Sequence, residues 1–171
     1  GFLPHYPGPG AGGYCIPVLP RYLLDSARKL GVDLRLVETA VRVNETQPQK
    51  VAQKTREILN MNGNNGISKA LLVGVAYKKD LSDSRYSTSL TVWTELEKMG
   101  ITVSFHDPYA PFINGFTSVP LNQTTLRNQD IAIITTAHSS IDYTLLVSCG
   151  IPVLDTRNAL KGIKGKQIYR L

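Results

Sequence analysis

From residue 67 onward the sequence alternates short apolar runs with segments of helical periodicity. The first run, Ala70-Leu71-Leu72-Val73-Gly74-Val75-Ala76, is almost uninterrupted. Strands covered on both faces have this pattern, because both faces must be apolar. Ser89 to Met99 reads as a helix with Leu90, Val92, Trp93 and Leu96 inward, ended by Gly100. Ile101 to Phe105 is the next strand, closed by Asp107-Pro108. A connection holding a short strand or helix runs to about Thr125, and Thr125 to Gln129 fits the end of a helix. Ile131 to Thr135 reads as strand, Ser139 to Val147 as helix and Ile151 to Asp155 as strand. Such alternation demands right-handed crossovers and a parallel sheet covered on both faces. The fold class is therefore α/β. In such sheets ligands bind beyond the carboxyl ends of the strands.

A helical segment precedes the sheet. Arg21 to Leu30 reads as a helix, with Tyr22, Leu23, Leu24, Ala27 and Leu30 on one face and Gly31 as its stop. Residues 33–60 read as a second, longer helix with Asp33 as N-cap. Pro48 is a fault in it: either the helix kinks there or a new first turn begins after Gln47. A long amphipathic helix in this place serves as a linker or a dimer seam, or packs on its own domain. The turn-rich Asn60–Gly66 stretch marks a boundary. The expected organisation is a loop over 1–20, a helical segment over 21–62 and a sheet domain over 67–171.

The opening loop carries the one candidate nucleophile. Gly8-Pro9-Gly10-Ala11-Gly12-Gly13-Tyr14-Cys15-Ile16-Pro17 gathers glycines and prolines around a thiol just before a helix. Glycine lets backbone approach a ligand closely. A cysteine at a helix N-terminus is favoured as thiolate, whereas a lone cysteine is more often a small buried hydrophobe. With only Cys15 and Cys149 there is no disulfide framework, which fits a reducing compartment. No run reaches transmembrane length and no signal peptide is visible. The chain of 171 residues opens at Gly1 in mid-loop, which suggests a fragment or processed product of a longer protein. Its net charge of +6 suits an anionic partner, but the charges are scattered. A phosphorylated small molecule accounts for them as well as nucleic acid does, and a solvated surface nearly as well.

Three strand ends hold polar clusters. In Tyr77-Lys78-Lys79-Asp80-Leu81-Ser82-Asp83-Ser84-Arg85, Lys78 and Arg85 can meet a diphosphate, or the loop can be solvated with an Asp83–Arg85 ion pair. Ser87-Thr88-Ser89 caps the following helix or meets a phosphate. Asp107 can hold a ribose hydroxyl, but capping of its own turn is favoured. Arg157, in Asp155-Thr156-Arg157-Asn158, meets an anion or pairs with Asp155. His5, His106 and His138 read as isolated, no cluster has metal spacing, and Tyr14 and Trp93 read as packing residues.

Taken in order, these pieces resemble the nucleotide-sugar 6-dehydrogenases, which oxidise UDP-glucose, UDP-N-acetylmannosamine or UDP-N-acetylgalactosamine. Pro7 to Pro17 looks like that family's catalytic-cysteine loop, in the form closest to its N-acetylhexosamine branch. Arg42-Val43-Asn44-Glu45, with Pro48 and Val51, looks like its central dimerisation helix. Gly74 to Asp80 with Asp83-Ser84-Arg85, Phe105 to Pro108 and Asp155 to Asn158 match later signatures. The resemblance covers the whole chain but only the C-terminal half of the family. It implies a Rossmann-like UDP-sugar-binding domain after a helical dimerisation segment, with the NAD-binding domain outside this chain. It implies four-electron oxidation of the sugar's C6 alcohol by two NAD⁺ through a thioester on Cys15. Gly10, Gly12 and Gly13 would bring backbone against the sugar, Tyr77 and Lys78 would contact the nucleotide sugar, Arg157 its uridine end, and Arg85 the NAD. The setting implied is a cytoplasmic homodimer.

Leu19 departs from the pattern, since the family usually has an Asp four residues after the cysteine. This favours a rival reading, a dimeric module that holds a nucleotide sugar without oxidising it. The chain alone is expected not to turn over. A free-standing NAD-binding domain loses ground because no GxGxxG follows the strand at residue 70, and nucleic-acid binding lacks its basic stripe with aromatics.

Overall fold

The computed structural model describes residues 6–64 and 66–171. Helix α1 spans Leu19–Lys29, with Pro20 in its first turn, where a fixed φ costs nothing. Leu24 and Ala27 are buried, but Tyr22, Leu23 and Leu30 of the expected face stay exposed. Helix α2 spans Arg35–Met61. Its N-cap is Leu34, without a side-chain bond, and Asp33 instead pairs with the Arg35 side chain. Pro48 lies inside one continuous helix, so no new first turn begins there. A proline denies a donor to the carbonyl four residues back. That carbonyl, on Asn44, faces Gly10, where a β-carbon would stand 3.3 Å from it.

The remaining elements are β1 (Ser68–Val73), α3 (Thr88–Lys98), β2 (Ile101–His106), the hairpin β3 (Phe112–Ile113) and β4 (Phe116–Thr117), α4 (Gln123–Arg127), β5 (Ile131–Ile134), α5 (Thr144–Ser148), β6 (Val153–Asp155) and β7 (Ile168–Arg170). The main sheet has the order β2-β1-β5-β6-β7. Every neighbouring pair in it is parallel, as the alternating pattern requires. Two details differ from expectation. The helix expected over Ser139–Val147 is confined to α5, because Ser139 is bonded to Asp80 and Asp142 caps Thr144. The edge strand β7 is short and half exposed, with no apolar run to announce it.

Successive residues of β1 face opposite layers, as the two-residue period of a strand dictates. Ala70 and Leu72 join Phe105, Ile133, Trp93 and Leu96 on one side, together with Val51, Ala52, Ile58 and Leu59 of α2. Leu71 and Val73 join Ala132, Ile134, Leu126 and Leu146 on the other. The second half of the long helix is thus part of the sheet's own core. Its first half is not: Leu36 and Val43 remain exposed. Truncating a fully buried residue such as Leu72 to Ala costs about 2–5 kcal/mol. No described helix is long and apolar enough to cross a membrane. Because the strands are parallel, the segments after β1, β2, β5 and β6 gather at one edge.

Candidate functional site

The glycine loop is fastened to that edge and to α2. Ala11 N–H donates to Asn44 Oδ1 at 2.6 Å, and Asn44 Nδ2 donates back to the Ala11 carbonyl at 3.2 Å. Thr88 Oγ1 donates to the Gly10 carbonyl, and Gly13 N–H donates to the Tyr86 carbonyl, both at 3.2 Å. The glycines are needed for these seats. A β-carbon at Gly12 would stand 2.6 Å from the Tyr86 carbonyl oxygen, and one at Gly13 would stand 2.9 Å from the Tyr77 ring. Gly10 and Gly13 also have positive φ, of +119° and +88°. The close approach that these residues allow is therefore to their own chain.

Cys15 emerges from the loop exposed and unpaired. Its carbonyl accepts from Val18 N–H at 3.2 Å and Leu19 N–H at 2.9 Å, so the chain turns directly into α1. The thiol stands one turn before that helix, as the sequence implies. Leu19 is exposed on the same turn.

Beside it lies an aromatic cluster. The Tyr14 ring meets Tyr77 and Tyr86 edge-on, at centroid distances of 6.3 and 5.2 Å. Arg85 stands 5.3 Å over the Tyr14 ring, and Tyr14 Oη donates to Asp83 Oδ2 at 3.2 Å. Tyr14 thus packs at the surface, 42% exposed, against Tyr77 and Tyr86, and Trp93 packs inside against Phe105 and Phe116. Arg85 Nε and Nη2 donate to Asp83 at 3.1 and 2.9 Å, so the expected internal ion pair is formed. The Arg85 side-chain hydrogen bonds hold the Asp83 carboxyl at about 2. Tyr86 has φ of 56°, a strained value for a bulky residue. Ser87 caps α3 by accepting from Ser89 N–H. Lys78 is exposed, and its ammonium has no protein partner among the described residues.

Two buried groups hold the strand ends together. Asp107 is 1% exposed. One of its oxygens accepts from Val75 and Ala76 N–H at 2.7 and 3.0 Å, the other from Tyr109 and Ala110 N–H at 2.9 and 3.1 Å. It caps its own turn and leaves no oxygen for a ribose. Burial pushes its carboxyl up, but hydrogen bonds from His138, Val75 and Tyr109 outweigh that and hold it at about 2. His138 is not isolated: its Nε2 lies 3.0 Å from Asp107 Oδ2.

Arg157 stands at the end of β6. Asp155 caps the following turn through the N–H groups of Arg157, Ala159 and Leu160 at 3.0, 3.1 and 2.8 Å, so the side-chain ion pair does not form. The guanidinium is half buried against Gly8, and burial lowers its pKa. Among the described residues it has no carboxylate partner. Cys15, Tyr77, Arg85 and Arg157 are thus all joined to one loop system. One groove lies between α1 and α2, and a second lies between the cysteine loop and α2, lined by Ala11, Ile16 and Asn44 among others. The first, of ≈ 820 Å³, is lined by Arg21, Arg28, Arg35, Glu38, Arg42 and Glu45 among others. The other, of ≈ 320 Å³, is apolar, with Ile16, Pro17, Leu36 and Val41. No metal cluster is present among the described residues.

Comparison with known proteins gives this arrangement a family. The UDP binding domain of the UDP-glucose/GDP-mannose dehydrogenase family matches residues 71–162, and that family's central domain matches residues 1–46. The chain belongs to the UDP-glucose/GDP-mannose dehydrogenase family. It is 31% identical over 135 residues to UDP-N-acetyl-D-mannosamine dehydrogenase of Methanocaldococcus jannaschii, a match covering 77% of this chain and 29% of that protein. It is 33% identical over 101 residues to UDP-glucose 6-dehydrogenase of Rhizobium meliloti, covering 59% of this chain and 23% of that one. The UDP-D-ManNAc dehydrogenase structure from Pyrococcus horikoshii superposes with a TM-score of 0.82 at 25% identity, over 97% of this chain and 40% of that one. The chain therefore spans well under half the length of the proteins it resembles.

Proposed function

We propose that this chain is the nucleotide-sugar-binding part of a UDP-sugar 6-dehydrogenase, with Cys15 as its nucleophile. The observation that carries the reading is the fastening of an exposed cysteine loop, through Asn44, Tyr86 and Thr88, to the edge of a parallel sheet where ligands bind. Tyr77, Lys78 and Arg157 are the proposed contacts to the nucleotide sugar, with Arg157 at the uridine end. Gly10, Gly12 and Gly13 would bring backbone against the sugar, with the Gly10 carbonyl and Gly13 N–H already engaged by Thr88 and Tyr86 to fix their seats. The proposed division is a loop over 1–20, a helical segment over 21–62 whose second half packs into the sheet's core, and the nucleotide-sugar domain over 67–171.

In the complete protein the C6 alcohol of a UDP-hexose or UDP-N-acetylhexosamine would be oxidised to the acid. The Cys15 thiolate adds to the intermediate aldehyde, a second oxidation leaves a thioester, and water releases the uronic acid and restores the thiol. Two NAD⁺ would supply the oxidising power, each taking one hydride. The described residues do not fit a dinucleotide cradle. The glycine after β1, Gly74, points its missing β-carbon at the Thr136 carbonyl, 2.1 Å away, and α3 begins only at Thr88. Its holder would thus lie outside these residues, with Arg85 its proposed contact here. The exposed apolar residues of α1 and the first half of α2 are the proposed homodimer seam, and the unpaired cysteines suit a cytoplasmic setting.

Leu19 supports the second reading, a binding module, because an exposed leucine there can neither orient water nor take a proton. Cys15 alkylation that UDP-sugar blocks would favour the dehydrogenase reading, and two assays test what both readings share. Calorimetric titration of the chain with UDP is expected to show binding, and free N-acetylmannosamine none; failure of UDP to bind overturns both. Incubation with NAD⁺ and a panel of UDP-sugars is expected to yield no NADH from this chain alone. Clear turnover would overturn the assignment of cofactor binding to residues outside it.

A further inference from the structure

We propose that His138 is a positioning residue that sets the Tyr77–Asp80 loop through one fixed tautomer. The imidazole is buried, 1% exposed, at the end of β5. Asp80 N–H donates to its Nδ1 at 2.9 Å, so Nδ1 must be unprotonated. A carboxylate only accepts, so the hydrogen on Nε2 points at Asp107 Oδ2, 3.0 Å away. The ring is therefore the neutral Nε2–H form, with both nitrogens committed.

The two bonds act on the two ends of one loop. Asp107 Oδ2, which takes the imidazole hydrogen, also accepts from Val75 and Ala76 at the loop's start. His138 Nδ1 holds Asp80 at its end. Asp80 is in the left-handed region at φ 58°, which favours glycine and which aspartate enters more readily than most residues. Its carboxylate accepts from Ser139 N–H at 2.7 Å and Ser139 Oγ at 2.8 Å, closing the loop onto the β5 end. Tyr77 and Lys78, the proposed ligand contacts, lie between these anchors. A Tyr143 Oη bond to the His138 carbonyl at 3.2 Å fixes the ring's own backbone. The imidazole reaches no open surface, so it acts through the loop and not on a ligand.

His138→Asn and His138→Gln divide the two bonds. Asn can still accept from Asp80 N–H but cannot reach Asp107. Gln reaches Asp107 but leaves the Asp80 amide without its acceptor. In the wild-type chain, a ¹H–¹⁵N long-range imidazole spectrum is expected to show the Nε2–H tautomer. Asp80 amide exchange is expected to rise by about tenfold or more in His138→Gln, in keeping with a lost hydrogen bond, and to stay near wild type in His138→Asn. UDP affinity should follow the same order, falling about tenfold in His138→Gln alone. The UDP arm rests on the proposed function, whereas the spectrum and exchange rates decide the inference without ligand. A protonated Nδ1, or equal exchange in the two variants, would overturn it. Wild-type failure to bind UDP, with the expected spectrum and exchange, would overturn the functional reading alone.

Discussion

The guanidinium of Arg157 lies against the backbone of Gly8, so close that a β-carbon at Gly8 would stand 2.2 Å from Nη1. The last strand-end cluster of the sheet thereby touches the loop that carries Cys15. A cation half buried without a carboxylate partner among the described residues is suited to an anion from solution, and its position is set by a residue with no side chain.

Gly8→Ala should displace that guanidinium without harming the fold, because the obstructing atom is the far end of a flexible side chain. UDP affinity is expected to fall by about three- to tenfold, the scale of one weakened hydrogen bond. The melting temperature should move by only about a degree or two. Titration calorimetry and a thermal melt check both.

Asn44→Ala removes both bonds between α2 and Ala11. We expect a destabilisation of about 1–2 kcal/mol confined to the loop. Amide exchange at Ala11 and Gly13 should quicken while exchange in β1 stays unchanged. Asn44→Asp keeps the acceptor and should lose less.

Asp107 makes stability depend on acid. Its folded carboxyl titrates at about 2, below its ordinary value of 3.8. The group's contribution, about 2 kcal/mol, is therefore fully present above the ordinary value and lost as pH falls from there through about 2. Asp107→Asn would turn an NH₂ toward backbone N–H donors and should cost about 3 kcal/mol at neutral pH, with loss of the acid-sensitive component. Urea melts at pH 3 and pH 7 measure both effects.

The first half of α2 and the outer face of α1 present Tyr22, Leu23, Leu36 and Val43 to solvent. If this is the homodimer seam, light scattering gives twice the chain mass at high concentration. Leu36, 83% exposed in the single chain, would be covered in the dimer, so Leu36→Asp should give a monomer whose melting temperature is lower and no longer rises with chain concentration.

The strands β1, β2, β5 and β6 were legible because apolar runs between turn signals leave few alternatives. The end of α2 was equally plain, and the resemblance identified the family before any contact was known. Other features were hidden for physical reasons. The continuity of α2 through Pro48 was not legible, because a proline inside a helical pattern fits a kink or a new first turn as well as an unbroken helix. Strand β7 is an edge strand with little buried surface and so no pattern. His138 looked isolated because its partners Asp107 and Asp80 lie far away in sequence and meet it only across the sheet. Tyr14 read as a packing residue, and it is one, but nothing in its neighbours foretold Arg85 over its ring. The glycines read as places where backbone meets a ligand, and the atoms that crowd them in the structure belong to Tyr86, Thr88 and Tyr77.

If Cys15 stands beside a nucleotide-sugar site, a bound nucleotide sugar must shield it from alkylation. The chain carries its own control in Cys149, half buried in the far hydrophobic layer. We predict that saturating UDP-N-acetylmannosamine slows iodoacetamide labelling of Cys15 at neutral pH by about tenfold, as expected for a covered thiol, while Cys149 is unaffected. A Cys15 labelling rate indifferent to UDP-sugar would mean that no nucleotide-sugar site lies beside the thiol.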